Sequence, residues 1–434
     1  MDRLLERLFG LQRAGTTAKQ ELLAGSVSFF TTVYIVVVNA AILADAGIPL
    51  EAGMIATVLA AASGCLLMAF CANQPLLLVP GMGINALFSY TLVHSLGLSW
   101  QEALAAVFTA GIIYAAVSFT ALSRLLAAAI PSSLKAAISV GIGLFLTLIG
   151  LQKGGVIASR AGGYVALAPL DQPQVLLTLA GLLITLFVYL RRIPGGFLLS
   201  IAAGTLLAAL AGQLDLTGWA KQSSLSAAAY GTLFASLSFG KIASLSFWIA
   251  AFSLALVVIL ENIGVIHSQL QLLGKPQAME RAMRAGAISV LTCGWWGTSP
   301  TVSAAESVAG IAAGGKTGLT ALTTGLLFLG SLLLLPVATL IPDSAIAPVL
   351  VVVGGLMMQG GKNLPFDDLS EWFPAFLTIA LIPFSHSIVD GMGFGFIAYP
   401  LLKLLVGKGR DVSVPLYAIA GLFLLYFLLQ AVGV

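Results

Sequence analysis

The sequence predicts an all-α membrane protein of about fourteen transmembrane segments, arranged as two inverted repeats of seven. Three observations support this fold class. First, 59% of the 434 residues are hydrophobic, only 9% are charged, and the mean hydropathy is +1.04. A soluble protein of this length needs far more charge to cover its surface. Second, apolar runs long enough to cross about 30 Å of hydrocarbon recur from end to end. Third, two pairs of motifs repeat between the halves of the chain.

The apolar runs define the predicted segments. In chain order they cover residues 22–45, 53–72, 76–96, 101–122, 134–152, 175–191, 195–213, 243–269, 279–296, 298–314, 317–341, 344–360, 373–387 and 389–405. A further apolar run, 413–433, follows them. Glycine or proline interrupts segments 3, 10, 13 and 14, which are therefore weak as single continuous helices.

Basic residues favour a cytoplasmic N-terminus. They cluster before segment 1 and after segments 4, 6, 8, 10, 12 and 14, so that all these clusters fall on one side of the membrane. The pattern predicts a multi-pass protein of the plasma membrane or the bacterial inner membrane. The last apolar run then either crosses the membrane or lies along its inner surface, and the sequence leaves both open.

Two pairs of motifs indicate an internal repeat. "AAIPSSLKAAISVGIGLFLTLIGLQ" (128–152) and "TLIPDSAIAPVLVVVGGLMMQGG" (339–361) each place Ile-Pro-x-Ser before a glycine-bearing helix. "LLVPGMGINALF" in segment 3 and "GTSPTVSAAE" in segment 10 each place a proline and small residues before a short helical stretch. Because seven is odd, the second copy would be inverted relative to the first, an arrangement typical of transporters with broken helices.

Three of the seventeen acidic residues fall inside predicted segments, namely Glu261, Glu306 and Asp390. A carboxylate inside a membrane costs several kcal/mol and is a functional candidate by default. Such a group can carry a proton or bind a polar guest. For Asp390, a turn-forming Asp-Gly pair explains the residue as well as a function does. Glu261 stands about one and a half turns before the predicted cytoplasmic end of segment 8. Its neighbour Asn262 offers both a donor and an acceptor, although the pair could also serve an interhelical hydrogen bond.

Segment 10 is predicted to be broken. Pro300 cannot donate to a helix and disfavours helical geometry at Ser299. We therefore expect a short extended piece and then a half-helix that begins near Ser303 and carries Glu306. The free N–H groups of such a half-helix need partners at membrane depth. The alternative for Glu306 is a carboxylate bonded to the amides of its own helix.

Segment 3 has the same design. Pro80, Gly81 and Gly83 expose backbone close to any guest, and Asn85 follows them as either a binding or a packing residue. Two half-helix N-termini that meet near the membrane midplane would form a small polar chamber in an apolar body. Such a chamber could hold a polar, flat or anionic solute.

Six blocks of the sequence form a familiar set: "ERLFGLQRAGTTAKQELLAG", "YIVVVNAAIL", "VPGMGINALFSYTLV", "SLKAAISVGIGLFLTLIGLQKGG", "ESVAGIAAGGKTGLTAL" and "FLTIALIPFSHSIVDGMGFGFIAYPLLKLL". Together they resemble the nucleobase:cation symporter-2 superfamily, in particular its AzgA-like branch of adenine/guanine/hypoxanthine permeases. The resemblance covers nearly the whole chain. It implies a core domain (22–122 and 243–341) and a gate domain (134–213 and 344–405). The apolar run 413–433 then forms an extra C-terminal helix.

The resemblance also implies where substrate lies and which residues depart from the family. Substrate would sit between core and gate, against carboxylates that correspond to Glu261 and Glu306. The AzgA-like branch usually has aspartate and threonine in segment 8, where this chain has Glu261-Asn262, and a tyrosine in segment 10, where it has Ala304. The Glu-x-Ile-Gly sequence of segment 8 is instead similar to the uracil/xanthine branch. A xanthine- or uracil-type nucleobase symporter is therefore the alternative.

We expect proton-coupled uptake of a purine base such as guanine, hypoxanthine or adenine. Glu261 and Glu306 would accept hydrogen bonds from ring N–H groups, and one of them would carry the driving proton, with sodium left open as the coupling ion. The remaining candidates for substrate binding are Asn262, Asn85, amides near Ser303, the backbone at Gly83, and an aromatic ring for stacking such as that of Phe30.

Other function classes fit the sequence less well. An anion exchanger of the sulfate-transporter type could use the half-helix N-termini, but two carboxylates would repel an anion and segments 3 and 10 contain no basic residue. An intramembrane enzyme would need a nucleophile–base pair or a metal cluster, which the sequence lacks. The small net charge of +3 argues against nucleic acid as a partner. The expected partners are a nucleobase and the lipid bilayer. Gly141 and Gly143 permit close helix contacts and leave a homodimer open.

Overall fold

A computed structural model of the chain describes residues 2–120, 129–159, 165–214 and 230–432. The predicted end of segment 4 (121–122) and the last residue of the run 413–433 lie outside the described residues. All distances, partners and packing below refer to the described ranges.

Helices and two short strands make up the first half of the chain. The elements are α1 (Asp2–Phe9), α2 (Leu11–Ala14), α3 (Ala18–Thr32), α4 (Ile35–Asp45), α5 (Leu50–Leu67), a π-helical turn (Met68–Ala72), β1 (Leu78–Pro80), α6 (Met82–Ala86), a π-helical stretch (Leu87–Ser95), α7 (Trp100–Ser118), α8 (Ser132–Lys153), β2 (Ile157–Ser159), β3 (Val165–Leu167), α9 (Pro173–Leu190) and α10 (Gly196–Leu210). The hairpin of β2 and β3 lies in the connection that follows α8.

The second half has a similar order of elements. They are α11 (Leu245–Leu272), a 3₁₀ turn (Pro276–Ala278), α12 (Met279–Trp296), β4 (Thr301–Ser303), α13 (Ser307–Ala312), α14 (Gly318–Ser331), a 3₁₀ turn (Leu332–Leu334), α15 (Leu335–Ala338), α16 (Asp343–Met357), a 3₁₀ stretch (Met358–Asn363), α17 (Leu369–Ser385), α18 (Ile388–Leu405), a 3₁₀ turn (Gly409–Asp411) and α19 (Val414–Val432).

Ten helical segments among the described residues are long and apolar enough to cross a membrane, which confirms a multi-pass membrane protein. Two predicted spans are shorter apolar helices, α10 and α17. Segments 3 and 10 each combine a three-residue strand with a short helix. The predicted count of fourteen segments stays a prediction.

The two broken segments meet as an antiparallel pair of strands. Val79 of β1 lies opposite Val302 of β4, and the N–H of Ala304 donates to the carbonyl oxygen of Leu77 at 2.9 Å. Extended backbone at membrane depth is tolerated here because the two strands satisfy each other's polar groups inside the protein. The predicted half-helix start near Ser303 is wrong: α13 begins at Ser307, since Thr301–Ser303 are paired in the strand and a turn follows them.

The long helices pack in two groups. Helices α3, α4, α5 and α7 pack with α11, α12 and α14, and the two broken segments (β1 with α6, β4 with α13) pack against them. We call these seven helices and the two broken segments the core group. Helices α8, α9 and α10 pack with α16, α17 and α18, and we call these six the gate group. Each group thus combines helices from both halves of the chain, as interleaved inverted repeats require.

The gate group is centred on the contact between α8 and α16. A Cβ atom added at Gly143 would lie 2.5 Å from the carbonyl oxygen of Gly354, so the two backbones touch. A Cβ atom at Gly141 would lie 2.6 Å from Ile382 of α17. Both glycines therefore serve contacts within one chain, and they give no support to a homodimer.

The last helix runs back along α18. Near its start, the hydroxyl of Tyr417 donates to the carbonyl oxygen of Gly409 at 3.0 Å. Near its end, the hydroxyl of Tyr426 lies 3.3 Å from Oδ1 of Asp390, in the first turn of α18. Nineteen helical residues extend about 28 Å, so α19 is antiparallel to α18 over the whole length of that helix. Of the two arrangements that the sequence leaves open, this geometry supports a crossing helix.

Candidate functional site

The candidate site lies where α11 packs on strand β4. The helix α11 has 28 residues and continues to Leu272, so Glu261 lies about three turns before its end, deeper than the sequence predicted. Asn262 is fully buried. Its Oδ1 accepts a hydrogen bond from the backbone N–H of Ser303 at 2.9 Å, and its Nδ2 donates to the carbonyl oxygen of Val258 at 3.1 Å. The hydrogen bond between Asn262 and Ser303 therefore joins the two segments that carry the acidic residues.

A second polar residue of α11, which sequence reasoning missed, adds hydrogen bonds between α11 and the segment of strand β4. Gln269 accepts a hydrogen bond from Oγ of Ser303 at 2.8 Å and donates to the carbonyl oxygen of Ala304 at 2.6 Å. It follows Asn262 by seven residues, and this spacing puts both amides on one face of a helix. That spacing was the signal that could have identified it.

The two glutamates have different surroundings. Both side chains are half-buried. Among the described residues, the carboxylate of Glu261 has no hydrogen-bond or ion-pair partner. Glu306 directly precedes α13, and its Oε1 accepts a hydrogen bond from the hydroxyl of Tyr34 at 2.7 Å. Glu306 is thus held in place from the first transmembrane segment, whereas no described residue bonds the carboxylate of Glu261.

A buried polar network lies beside the broken segments. The hydroxyl of Ser299 donates to Oδ1 of Asn85 and, at 3.3 Å, to Oδ1 of Asn39. Asn39 donates to the hydroxyls of Thr57 at 2.8 Å and of Thr298 at 3.0 Å. Nδ2 of Asn85 is buried without a partner among the described residues. An unsatisfied buried donor costs about 1–3 kcal/mol, so this amide is a candidate to bond a guest atom.

The other predicted site residues take different positions. The N–H of Ser303 donates to Asn262 and its hydroxyl donates to Gln269, so both donors of this residue are bonded to α11. A Cβ added at Gly83 would lie 2.6 Å from Ile142, so this glycine lets α6 approach α8 of the gate group. Phe30 is 53% exposed and contacts Phe29 edge-on, with 5.5 Å between ring centroids.

Asp390 belongs to a different part of the protein. It lies in the first turn of α18 in the gate group, where its N–H donates to Oγ of Ser387 and Tyr426 bonds its carboxylate. These contacts fit the structural alternative, in which Asp390 starts a helix. Within the described ranges, no three His, Cys, Asp or Glu side chains converge in a way that could hold a metal ion.

The arrangement suits recognition of a small polar solute. The carboxylates of Glu261 and Glu306 can accept hydrogen bonds, Nδ2 of Asn85 can donate one, and Asn262 and Gln269 hold strand β4 against α11. Such groups can bind a planar molecule that presents ring N–H donors next to a carbonyl or ring-nitrogen acceptor. The carboxylates could also take up and release a proton.

Comparison with known protein families matches this chain to membrane permeases. The family model for xanthine and uracil permeases, described as "Permease family", matches residues 19–394. The nucleobase transporter PlAzg2 of Paenibacillus larvae is 50% identical over 88% of this chain and 77% of its own length. The guanine/hypoxanthine permease PbuO of Bacillus subtilis is 37% identical over 96% of this chain and 98% of its own. The adenine permease AdeP of Escherichia coli is 36% identical over 97% and 95%.

Comparison with solved structures confirms the fold class. The transmembrane domain of the cyanobacterial bicarbonate transporter BicA superposes with a TM-score of 0.68, covering 86% of this chain and 96% of that domain. The sequence identity is 17%, so the similarity concerns the fold alone. A shared transporter fold does not determine the solute, which must be argued from the site.

Proposed function

Because this chain belongs to the xanthine/uracil permease family, whose members are transporters and not enzymes, we propose that it takes up purine nucleobases across the cell membrane. Relatives named as nucleobase, guanine/hypoxanthine and adenine transporters support the purine class. Uptake is coupled to protons, the core group carries the site, and the gate group closes against it.

One observation carries the proposal. Glu261 and Glu306 stand on segments joined by the hydrogen bond between Asn262 and Ser303, and Glu261 has no partner among the described residues. Leaving a carboxylate unpaired inside a membrane protein is costly unless a guest or a proton completes it. A purine edge offers N–H donors to both carboxylates, and its carbonyl or ring nitrogen can accept from Nδ2 of Asn85.

The two glutamates have distinct roles in this proposal. Glu261 binds the ring N–H and exchanges the driving proton, because no protein group competes for it among the described residues. Glu306 is the second acceptor, kept in position by Tyr34. Ser303 supports the strand rather than the substrate, because its polar groups are bonded to Asn262 and Gln269. Gly83 allows the close approach of core and gate groups.

The alternative function, transport of an anion, is weaker because of the same two carboxylates. An anionic guest would meet two carboxylates, and at 4 Å two like charges repel by about 4 kcal/mol near a protein surface. The shared fold with a bicarbonate transporter does not offset this repulsion. The xanthine/uracil alternative keeps the same carboxylate chemistry, and competition among bases distinguishes it.

Uptake by purified protein in liposomes tests the proposal. An inward proton gradient should drive accumulation of labelled hypoxanthine, guanine or adenine, and a protonophore should abolish it. A sodium gradient at equal pH should not replace the proton gradient. Unlabelled adenine, guanine, hypoxanthine, xanthine and uracil then compete against one labelled base. Stronger competition by xanthine and uracil than by adenine, guanine and hypoxanthine would favour the alternative, and uptake indifferent to the pH gradient would refute proton coupling.

Two substitutions test the site. Glu261→Gln and Glu306→Gln should each reduce uptake to background with normal membrane insertion. The matched control is Glu280→Gln, because Glu280 is an exposed carboxylate in the first turn of α12. Full uptake by the Glu261→Gln variant would remove that residue from the site.

A further inference from the structure

We infer that Tyr34 is a positioning residue for Glu306, and that Phe197 of the gate group covers Tyr34 when the two groups are closed. The inference rests on the proposed function, in which Glu306 accepts a hydrogen bond from substrate. The inference adds Tyr34 as the residue that holds this carboxylate. It also adds the contact between Tyr34 and Phe197 as the link between the gate group and the site.

Tyr34 is buried and lies beside Glu306. It stands between α3 and α4 in the first membrane segment and is 2% exposed. Its hydroxyl donates to Oε1 of Glu306 at 2.7 Å. A hydrogen bond from a neutral donor to a carboxylate is short and about twice as strong as one between neutral groups. Since Oε1 is held, the carboxylate cannot rotate freely, and Oε2 is the oxygen that remains to accept a hydrogen bond from substrate.

Tyr34 also touches the gate group. Its ring lies 5.0 Å from the ring of Phe197, in the first turn of α10, and the two planes meet at 56°. The ring of Tyr189 stacks on that of Phe197, with 6.2 Å between the centroids and 18° between the planes. Gly195 makes the approach possible: it has a φ of +71°, and a Cβ there would lie 3.1 Å from the carbonyl oxygen of Phe30.

The two contacts of Tyr34 differ in what they join. Tyr34 and Glu306 flank helices that pack together, since α13 packs on α3. Their hydrogen bond can therefore survive a movement of the gate group. The contact between Tyr34 and Phe197 joins core and gate, so it must break when these groups separate. Tyr34 thus lies between a fixed contact to the carboxylate and a breakable contact to the gate.

Kinetics of the Tyr34→Phe variant test the positioning role. The substitution keeps the ring against Phe197 and removes only the hydroxyl. We expect KM for the base to rise about tenfold, with Vmax per inserted molecule within about twofold of wild type, because the loss affects a hydrogen bond to a charged group. The matched control is Tyr114→Phe, which removes a fully buried hydroxyl that bonds Sδ of Met283 instead, and should leave KM unchanged.

These kinetics separate the inference from the proposed function. If the wild-type chain transports bases and the Tyr34→Phe variant has an unchanged KM, the positioning role is wrong and the proposed function stands. A wild-type chain that transports no nucleobase refutes the proposed function, and the positioning role with it.

Thiol labelling tests whether the ring of Phe197 covers Tyr34, and this test needs no substrate. In a background where Cys65, Cys71 and Cys293 are serine, Tyr34→Cys is reacted with a membrane-permeant maleimide, with and without Phe197→Ala. We expect removal of the Phe197 ring to speed labelling about tenfold. Tyr114→Cys serves as the control and should label equally slowly in both backgrounds. Equal labelling of Tyr34→Cys in both backgrounds would overturn the covering role of Phe197.

Discussion

Lys153 and Asp45 form an ion pair, with 2.8 Å between Nζ and Oδ1, that joins the end of α8 to the end of α4. The pair therefore connects the gate group to the core group. Its side chains are 15% and 30% exposed, and the hydroxyl of Tyr90 donates to the same aspartate. Lys153 also lies 4.0 Å from Asp343 at the start of α16. Ion pairs thus connect the core group and the gate group at this end of their interface.

The ion pair should contribute measurably to stability. We expect Lys153→Met to lower the free energy of unfolding by about 1–2 kcal/mol, more than an exposed pair contributes, because both charges are partly buried. A double-mutant cycle with Asp45→Asn, measured by unfolding in detergent, should give a coupling of about 1 kcal/mol. The control is Glu280→Gln, whose exposed pair with Arg284 should change stability by at most about 0.5 kcal/mol. A coupling of zero would contradict a direct interaction.

Two adjacent glycines of α16 should respond oppositely to alanine. At Gly354 the new methyl group would clash with the carbonyl oxygen of Gly143, a backbone atom that moves only if the helices separate. We expect Gly354→Ala to destabilise the protein by about 1–3 kcal/mol. At Gly355 there is open space, so Gly355→Ala should be neutral or stabilise by up to about 1 kcal/mol through helix propensity. Thermal unfolding in detergent measures both, and similar midpoints for the two variants would contradict the packing.

Gln269 should matter for transport although it carries no charge. Gln269→Leu would leave the buried hydroxyl of Ser303 without its partner. It would also remove one hydrogen bond from the carbonyl oxygen of Ala304, which still accepts from the N–H and Oγ of Ser307. Unsatisfied buried groups cost about 1–3 kcal/mol each, and strand β4 would lose its position relative to Asn262. We expect at least a tenfold loss of kcat/KM for nucleobase uptake. His267→Ala, an exposed position on the same helix, is the control and should transport normally. Normal uptake by Gln269→Leu would show that β4 does not need this support.

The antiparallel course of α19 predicts which side of the membrane its ends face. Lys408 lies between α18 and α19, and the exposed residue Gln430 lies near the end of α19. Single cysteines at these positions, in a background without native cysteine, should label from opposite sides of the membrane. With a cytoplasmic N-terminus, Lys408→Cys should be inside and Gln430→Cys outside. Labelling of both from the same side would mean that α19 does not cross.

The broken segments were predictable from the sequence because proline leaves few options. Pro80 and Pro300 remove backbone donors, and the N–H groups beside them must find partners in a place without water. The sequence could not show that strands β1 and β4 supply these partners to each other. For that reason it placed the start of α13 at Ser303 and not at Ser307. Pairing between residues more than 200 positions apart leaves no local pattern.

The candidate site was predicted unevenly for a similar reason. Glu261 and Glu306 are conspicuous because a carboxylate inside an apolar run is costly. Tyr34 attracts no such notice because it carries no charge, and Gln269 stands at the predicted end of segment 8, where a polar residue is expected. Their roles depend on which distant atoms they face, namely Glu306 for the first and Ser303 and Ala304 for the second.

The amino-acid sequence by itself determined the membrane class and the two interrupted segments, because hydropathy, charge and proline act locally along the chain. Its quoted blocks also carried the resemblance to the family. The tertiary structure alone decided that Asn262 and Gln269 hold the β4 strand, that Tyr34 restrains Glu306, and that Lys153 fastens gate to core at Asp45. Hydrogen bonds and ion pairs of this kind act over about 3 Å, so they depend on packing that brings distant residues together.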